Sequence, residues 1–277
     1  MMLLVDFIAS ALGLAFGSFA NVLIIRLGQS HSSLRNPSAC TSCGKEILRR
    51  DNLPVVSWFL LRGRCRSCGA RISAMYPMVE LVTASLFLVV VNLPFARPLL
   101  EPSTVDVIPA LLMTLAVWWL ACAGVALAVI DFQTMRLPNI LVLSVAMAGL
   151  LGLGCASILA QEPNLLLRSF LGALGSLAIF GVIHLISPRG MGMGDVKLSA
   201  ALGIYLGWFG WGAWILGLLF AFLLGAGYGV TLLVIKKAKK THPIAFGPWL
   251  IIGAFFGIIF GNQVWDLYLQ FLQQALV

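Results

Sequence analysis

The sequence predicts an all-α polytopic membrane protein with about eight transmembrane helices, interrupted once by a hydrophilic insert. Three observations favour this fold class: 60% of the 277 residues are hydrophobic, 10% are charged, and long windows carry no charge at all. Soluble domains contain about 25% charged residues, so the composition is typical of membrane proteins. A helix needs about 20 apolar residues to cross the hydrocarbon core of a bilayer. The uncharged windows therefore mark the expected spans.

Six windows are long enough to span. The uncharged windows lie between charged residues at 6 and 26, 106 and 131, 136 and 162, 168 and 189, and 240 and 266, and a sixth at 76–96 is broken only by Glu80. The uncharged run 198–235 would be roughly 57 Å long as one helix, about twice the core thickness. We expect it to cross twice and to reverse within GWFGWG (207–212), where glycines suit a turn and tryptophans suit an interface. This reversal raises the expected number of spans to eight.

Lysine and arginine placement predicts the orientation. With the amino terminus outside and eight crossings, all 18 basic residues except Arg97 and Arg168 lie on the cytoplasmic side, as basic loops generally do. The net charge of +8 is therefore a topology signal, and no nucleic-acid binding is expected. KKAKK (236–240) fits the same role, with anionic lipid headgroups as alternative ligands. The expected units are a first helix (1–26), a cytosolic insert (27–76) and a membrane domain (77–277).

The insert carries two CxxC pairs separated by 21 residues, CTSC and CRSC, which supply Cys40, Cys43, Cys65 and Cys68. Four thiolates on two tight turns match tetrahedral zinc, and a metal can hold together a loop too polar to build a core. The alternative is two structural disulfides, but the expected topology places the loop in reducing cytosol. The pattern predicts zinc, and four sulfur ligands make it structural, because no coordination position stays open for catalysis.

Two aspartates are expected at the cytoplasmic ends of spans. Asp131 lies at the cytoplasmic end of the third span. Asp195 follows the glycine run GMGMG (190–194) and lies at the cytoplasmic end of the sixth span. Ionisable groups in membranes usually face the bundle interior and mark function. If the two carboxyls approach each other, they share one proton and can activate water for attack on a peptide carbonyl. Taken singly, each aspartate is better explained by a solvated helix end.

Two other classes of protein remain open from these residues alone. A proton-coupled transporter also places carboxylates in its spans, and a membrane scaffold could use a zinc ribbon to bind a partner. A proton relay favours carboxylates near the bilayer centre, whereas both aspartates map to one face. A scaffold has no need for a glycine run ending in one aspartate opposite another.

Five ordered segments make the chain resemble a known family. They are GSFANVLIIRL (17–27), the double-CxxC segment (40–84), IDFQTMRLPN (130–139), GMGMGDVKL (190–198) and PIAFGPWL (243–250). The chain resembles the type IV prepilin peptidases, which are bifunctional leader peptidases and N-methyltransferases of the GxGD class of intramembrane aspartyl proteases. The resemblance implies Asp131 and Asp195 as the catalytic pair and the four cysteines as the zinc ligands. It also implies prepilin or pseudopilin substrates, S-adenosylmethionine as methyl donor, and the bacterial inner membrane.

Methyl transfer is implied by the resemblance alone. Gly63 matches a family glycine linked to that activity, although a turn that only glycine can make explains it equally well. Glu80 is a carboxylate near the cytoplasmic end of the second span, where burial is costly without a partner, so we expect a functional role. The chain departs from many relatives in having Asn139 after LP, where they have aspartate, and Ala20 in place of a commoner leucine.

Overall fold

The computed structural model describes residues 2–28, 38–100, 107–188, 190–235 and 245–275. In these ranges the chain is helical apart from turns and two isolated backbone bridges, which confirms the all-α fold class. Short 3-10 turns lie at Arg49–Asp51 and Pro94–Ala96, and a π-helical segment lies at Gly257–Gly261. The α-helices are α1 (Met2–Gly28), α2 (Val56–Leu60), α3 (Met75–Val91), α4 (Arg97–Leu100), α5 (Val107–Thr134), α6 (Asn139–Leu159), α7 (Pro163–Ile186), α8 (Met193–Phe209), α9 (Trp211–Val234), α10 (Gly247–Phe256) and α11 (Asn262–Ala275).

A multi-pass membrane architecture is confirmed, but eight spans are not. Within the described ranges, six segments are long and apolar enough to cross a membrane: α1, α5, α6, α7, α9 and the continuous α10–α11. Helix α3 qualifies only together with 94–100, from which it is bent by 70°. Helix α8 has 17 residues and is therefore about 26 Å long, short of the ~30 Å core. A break between helices does occur within GWFGWG, at Gly210, where φ is +143°.

Helices α1 and α3 meet backbone to backbone. A methyl group built on Gly13 would lie 2.5 Å from Ala84 Cα, and one built on Gly17 would lie 2.5 Å from Glu80 Cα. Small residues at a crossing let helices pack closely in lipid, where packing replaces the hydrophobic effect as the driving force. The close crossing fixes Glu80 against α1.

A second close crossing, the α7–α8 seam, is formed by Gly172 of α7 with Gly203 and Gly207 of α8. A methyl group on Gly172 would lie 2.5 Å from Gly203 O, and one on Gly203 would overlap Gly172 O. The seam brings the two backbones into direct contact, and the Ser176 hydroxyl also approaches Gly203. It therefore holds α8, the helix that begins beside Asp195, firmly along α7.

We expect Gly203→Val to destabilise the protein by about 1–3 kcal/mol, because the new side chain must displace the α7 backbone. Gly181→Val on α7 is the matched control, since a methyl group there meets no atom of the described residues within 4 Å. Thermal unfolding of the detergent-solubilised variants measures the difference. Equal unfolding midpoints for the two variants would contradict a stabilising role of the α7–α8 seam.

The ends of α1, α3 and α5 gather at one end of the bundle, called here the site end. Gly28 ends α1 beside Ile130 of α5, since a methyl group on Gly28 would lie 3.8 Å from Ile130 Cγ1. Met75, which begins α3, contacts Gln133 of α5, with 2.9 Å between Sδ and Nε2. The insert joins α1 to α3, so it lies at the same end as Asp131.

Candidate active site and metal centre

Asp131 lies near the carboxyl end of α5, at the site end, and is 5% exposed. Its Oδ2 accepts a hydrogen bond from the backbone N–H of Gly247 at 2.9 Å. Gly247 begins α10, and the N–H groups of a first helical turn lack intrahelical acceptors and carry partial positive charge. A methyl group on Gly247 would lie 2.8 Å from Oδ2. The position therefore favours glycine, which lets the backbone reach the carboxyl group.

Asp195 is the third residue of α8 and is 8% exposed. Its Oδ2 accepts a hydrogen bond from Gly192 N at 3.2 Å, and its own N–H donates to Gly192 O at 3.1 Å. Its Oδ1 is buried and has no hydrogen-bond partner among the described residues. This carboxyl group also lies at a helix N-terminus, with one oxygen left to receive a donor.

The structure brings the two predicted aspartates together. Asp131 and Asp195 are close enough to interact electrostatically. Leu137, in the turn after α5, lies beside both backbone segments that hold them. Methyl groups built on Gly194 and Gly247 would lie 3.2 Å and 3.3 Å from its side-chain atoms. The amino ends of α8 and α10 and the carboxyl end of α5 therefore converge on one site.

Two further contacts hold the start of α8. Lys197 Nζ donates to Asn139 Oδ1 at 3.1 Å, which ties α8 to the first residue of α6. His184 Nδ1 lies 2.7 Å from Met191 O, which ties the end of α7 to the turn before α8. Asn139, the departure from LPD, thus takes part in a hydrogen bond between the two aspartate segments.

Two short turns of the insert present the four cysteines, and each has the sequence C-x-S-C-G. The glycine after the second cysteine has a left-handed φ in both, +70° at Gly44 and +71° at Gly69. Gly44 N donates to Cys40 O, and Gly69 N donates to Cys65 O, both at 2.9 Å. Left-handed backbone favours glycine. The insert therefore uses nearly the same turn twice.

The four thiols can hold zinc. The Sγ atoms of Cys40, Cys43, Cys65 and Cys68 all lie within 4.8 Å of one another, and those of Cys40 and Cys68 are 3.9 Å apart. Tetrahedral zinc with Zn–S bonds of about 2.3 Å places its sulfurs about 3.8 Å apart, so the cluster fits with little movement. All six cysteines lie within the described ranges and are free. No disulfide joins these cysteines, and the cluster fits the zinc prediction better than the disulfide alternative.

The two turns also change the pKa values of thiols that would bind a metal. The backbone N–H groups of Cys43 and Ser42 lower the pKa of Cys40 to about 6. Although the backbone N–H of Ala70 lowers the pKa of Cys68, hydrogen bonding with Cys43 and burial together raise it to about 11. The thiolate is the form that binds metal. Cys40 is thus a thiolate at neutral pH, the form that binds a cation.

The insert packs on α3 through Glu80, and Trp58 is held within the insert. Glu80 Oε2 accepts a hydrogen bond from Val55 N at 2.7 Å, and Trp58 Nε1 donates to Ile72 O at 3.2 Å. Gly63 has φ +62°, and a methyl group there would lie 2.9 Å from the Trp58 ring. Val55 itself has φ +61°, which is unusual for a β-branched residue. Glu80 therefore belongs to this junction, and Gly63 contacts Trp58 on the insert side of it.

Comparisons with known proteins assign the chain to a family. A family model for the bacterial peptidase A24 N-terminal domain matches residues 11–93, and one for the type IV leader peptidase family matches 114–230. A prepilin leader peptidase/N-methyltransferase of Aeromonas salmonicida strain A449 is 36% identical over 93% of this chain and 91% of its own length. The chain belongs to the type IV leader peptidase family.

Two more proteins named prepilin leader peptidase/N-methyltransferase are similar to this leader peptidase over most of its length. The Pseudomonas aeruginosa protein is 33% identical over 94% of this chain and 92% of its own length. The Dickeya chrysanthemi protein is 33% identical over 90% of each chain. No solved structure matches this chain.

The family matches cover the predicted site residues. The four cysteines, Gly63 and Glu80 lie in the A24 N-terminal match, and both aspartates lie in the leader peptidase match. Sequence reasoning missed the N–H groups of Gly247 and Val55, because a backbone donor has no side-chain signature. PIAFGPWL pointed to the region of Gly247, but its residues 243–244, like KKAKK (236–240) and Arg189, lie outside the described residues.

Proposed function

We propose that this chain cleaves the leader peptide of type IV prepilins or pseudopilins and then methylates the new amino terminus. Relatives at 36% and 33% identity are named for these two activities. The observation that carries the proposal is the convergence of Asp131 and Asp195, each buried and each hydrogen-bonded at a helix N-terminus. The comparisons do not favour a transporter or a scaffold.

The two carboxyl groups suit an aspartyl mechanism. Like charges at close range disfavour double ionisation, so the pair shares one proton. The ionised carboxylate removes a proton from water, which attacks the scissile carbonyl carbon, while the protonated partner donates to the carbonyl oxygen. The leaving amine then takes a proton from the pair. The free Oδ1 of Asp195 is the acceptor we assign to the water or to the shared proton.

Glycines next to Asp195 support access by an extended peptide. Gly190, Gly192 and Gly194 precede Asp195 and leave backbone exposed to close approach. A substrate helix lying in the bilayer would present its polar leader at this depth.

The methyl-transfer region is proposed to lie at the junction that contains Gly63 and Glu80. S-adenosylmethionine would supply the methyl group, and zinc held by the four cysteines would be structural. Because the cysteine turns are part of the insert that packs on α1 and α3, the metal would shape this junction without taking part in the reaction.

The orientation is part of the proposal. We place the amino terminus in the periplasm, and the insert (27–76) and both aspartates toward the cytoplasm of a bacterial inner membrane. Units 1–26 and 77–277 form the membrane part in contact with lipid. The distribution of basic residues supports this orientation, and the site end gathers the insert and Asp131 on one side of the bundle.

Incubation of the purified protein with a prepilin and S-adenosylmethionine tests the function. Mass spectrometry of the pilin should show loss of the leader and a gain of one methyl group at the new amino terminus. A transporter or a scaffold would leave the pilin intact, so an unchanged mass overturns the proposal.

We expect Gly247→Ala to lower kcat/KM for leader cleavage by about 100-fold, because the methyl group must displace Asp131 and small displacements of catalytic groups cost about that much. Gly227→Ala is the matched control, since its methyl group meets no described atom within 4 Å. Both variants are assayed with a synthetic prepilin peptide. Equal rates would show that the Gly247 contact does not position Asp131.

A further inference from the structure

A cavity of about 510 Å³ lies between the insert and the ends of α1 and α3. Its wall includes Asn21 of α1, Trp58 and Ile72 of the insert, and Tyr76 and Glu80 of α3. This volume is within the range of about 300–1,000 Å³ that is usual for small-molecule sites. Neither Asp131 nor Asp195 contributes to the wall, so the cavity is separate from the proposed hydrolytic site.

Glu80 places a buried carboxyl group in this wall. Its side chain is 7% exposed, and its carboxylate accepts a hydrogen bond from Val55 N at 2.7 Å. The Ser18 hydroxyl and the Asn21 amide also lie near enough to interact with the carboxyl group. These three groups are neutral, so none of them would cancel a charge on the carboxyl group. A cationic group of a ligand would complete the site.

Asn21 adds an acceptor that has no donor. Its side chain is 4% exposed, and its Nδ2 donates to Tyr76 O at 3.0 Å. Turning the amide over would direct its oxygen at Tyr76 O and the Glu80 carboxylate, two acceptors, so the assigned orientation is the favourable one. In that orientation Oδ1 is buried without a partner among the described residues. An unmet buried acceptor costs about 1–3 kcal/mol, which a ligand N–H could recover.

Aromatic rings supply the apolar part of the wall. Trp58 is held by its hydrogen bond to Ile72 O and by contact with Gly63, and Tyr76 lies one helical turn from Glu80 on α3. Flat rings of this kind bind purine bases by stacking. The cavity therefore combines aromatic rings with the Glu80 carboxyl group and the Asn21 oxygen, and basic side chains, Arg26 and Lys45 among them, also line it.

We propose that this cavity binds the adenosyl methyl donor, with the donor's amino acid end at Asn21 and Glu80 and its adenine against Trp58 and Tyr76. The inference rests on the proposed methyl transfer. The new amino terminus of the pilin, as the neutral amine, attacks the methyl carbon through its nitrogen lone pair. The carbon–sulfur bond breaks, its electron pair returns to the sulfonium sulfur, and the nitrogen releases a proton to solvent.

Ligand binding to the full-length protein in detergent tests this assignment with two probes. S-adenosylhomocysteine carries the amino acid end, whereas 5′-methylthioadenosine lacks it and keeps the adenosine. We expect Asn21→Leu and Glu80→Gln each to weaken S-adenosylhomocysteine binding by about 10-fold or more, as expected for losing a hydrogen bond to a charged group. Both should leave methylthioadenosine binding within about 2-fold of the wild-type affinity.

Asn92→Leu is the matched control, because Asn92 lies just beyond the other end of α3 and donates to Asp6 Oδ1 at 2.9 Å. It should bind both probes like the wild type. Gly63→Ala should weaken both probes, since it displaces the Trp58 ring.

Wild-type S-adenosylhomocysteine affinity in both Asn21→Leu and Glu80→Gln would overturn the assignment, even if the wild-type protein methylates pilin. Failure of methylation by the wild type would instead overturn the proposed function. Leader cleavage by each variant shows whether the variant is folded. If Asn21→Leu no longer cleaves, the isosteric Glu80→Gln alone serves as the test of the assignment.

Discussion

Replacing either Asp131 or Asp195 by asparagine is expected to lower kcat/KM for leader cleavage by about 10³-fold, within the range usual for a general acid or base. Asparagine keeps the shape of the side chain but can neither take the proton from water nor hold the shared proton. Because each carboxyl group performs half of the proton transfer, both single variants should be equally inactive, and the double variant should be no worse. Initial cleavage rates on a purified prepilin give the measurement.

The matched control is Asp266→Asn, because Asp266 is exposed on α11 and lies outside the proposed site. It should cleave at the wild-type rate. Retained cleavage in either Asp131→Asn or Asp195→Asn, within a few-fold of this control, would remove that aspartate from the mechanism.

Loss of the metal is expected to abolish methylation while leaving most of the leader cleavage. A structural zinc site contributes about 10–16 kcal/mol of folding free energy in small domains, and this insert has little core of its own. Cys40→Ser or a strong chelator should therefore unfold the cysteine turns and the cavity wall they support. The proposed hydrolytic pair lies on α5 and α8, outside the insert. Mass spectrometry should show a pilin that lacks both its leader and the added methyl group.

Cys155→Ser provides the control for the cysteine variants, since Cys155 is exposed on α6 and outside the cluster. It should keep both activities and the same resistance of the insert to limited proteolysis. Full methylation by a Cys40→Ser protein that contains no zinc would contradict a structural role for the metal.

The sequence predicted the residues with distinctive side-chain patterns and missed those that act through the backbone. The paired CxxC spacing predicted the cysteine cluster, because ligand type and spacing nearly determine a tetrahedral site. The depth of Asp131 and Asp195 indicated that they could meet. Nothing in the sequence showed that Gly247 N would approach Asp131, since this contact joins positions 116 residues apart.

The number of spans shows a second limit. The length of the uncharged run 198–235 correctly predicted a break between α8 and α9. The same length also predicted that each of these helices crosses the membrane fully, which α8 is too short to do. Helix α8 is shorter than the hydrocarbon core and is packed along α7, and α3 is bent where it meets 94–100. Both features depend on packing against neighbouring helices. The length of an uncharged window carries no information about that packing.

The α7–α8 seam has a consequence for catalysis as well as for folding. Gly203 lies about two turns along α8 from Asp195, and sliding α8 by one residue would move that carboxyl group by about 1.5 Å along the helix axis. Because the two backbones interlock at the seam, such a slip is sterically opposed. The glycines of the seam thereby fix the position of Asp195 relative to Asp131. Bulky side chains at the seam should slow leader cleavage even in variants that still fold.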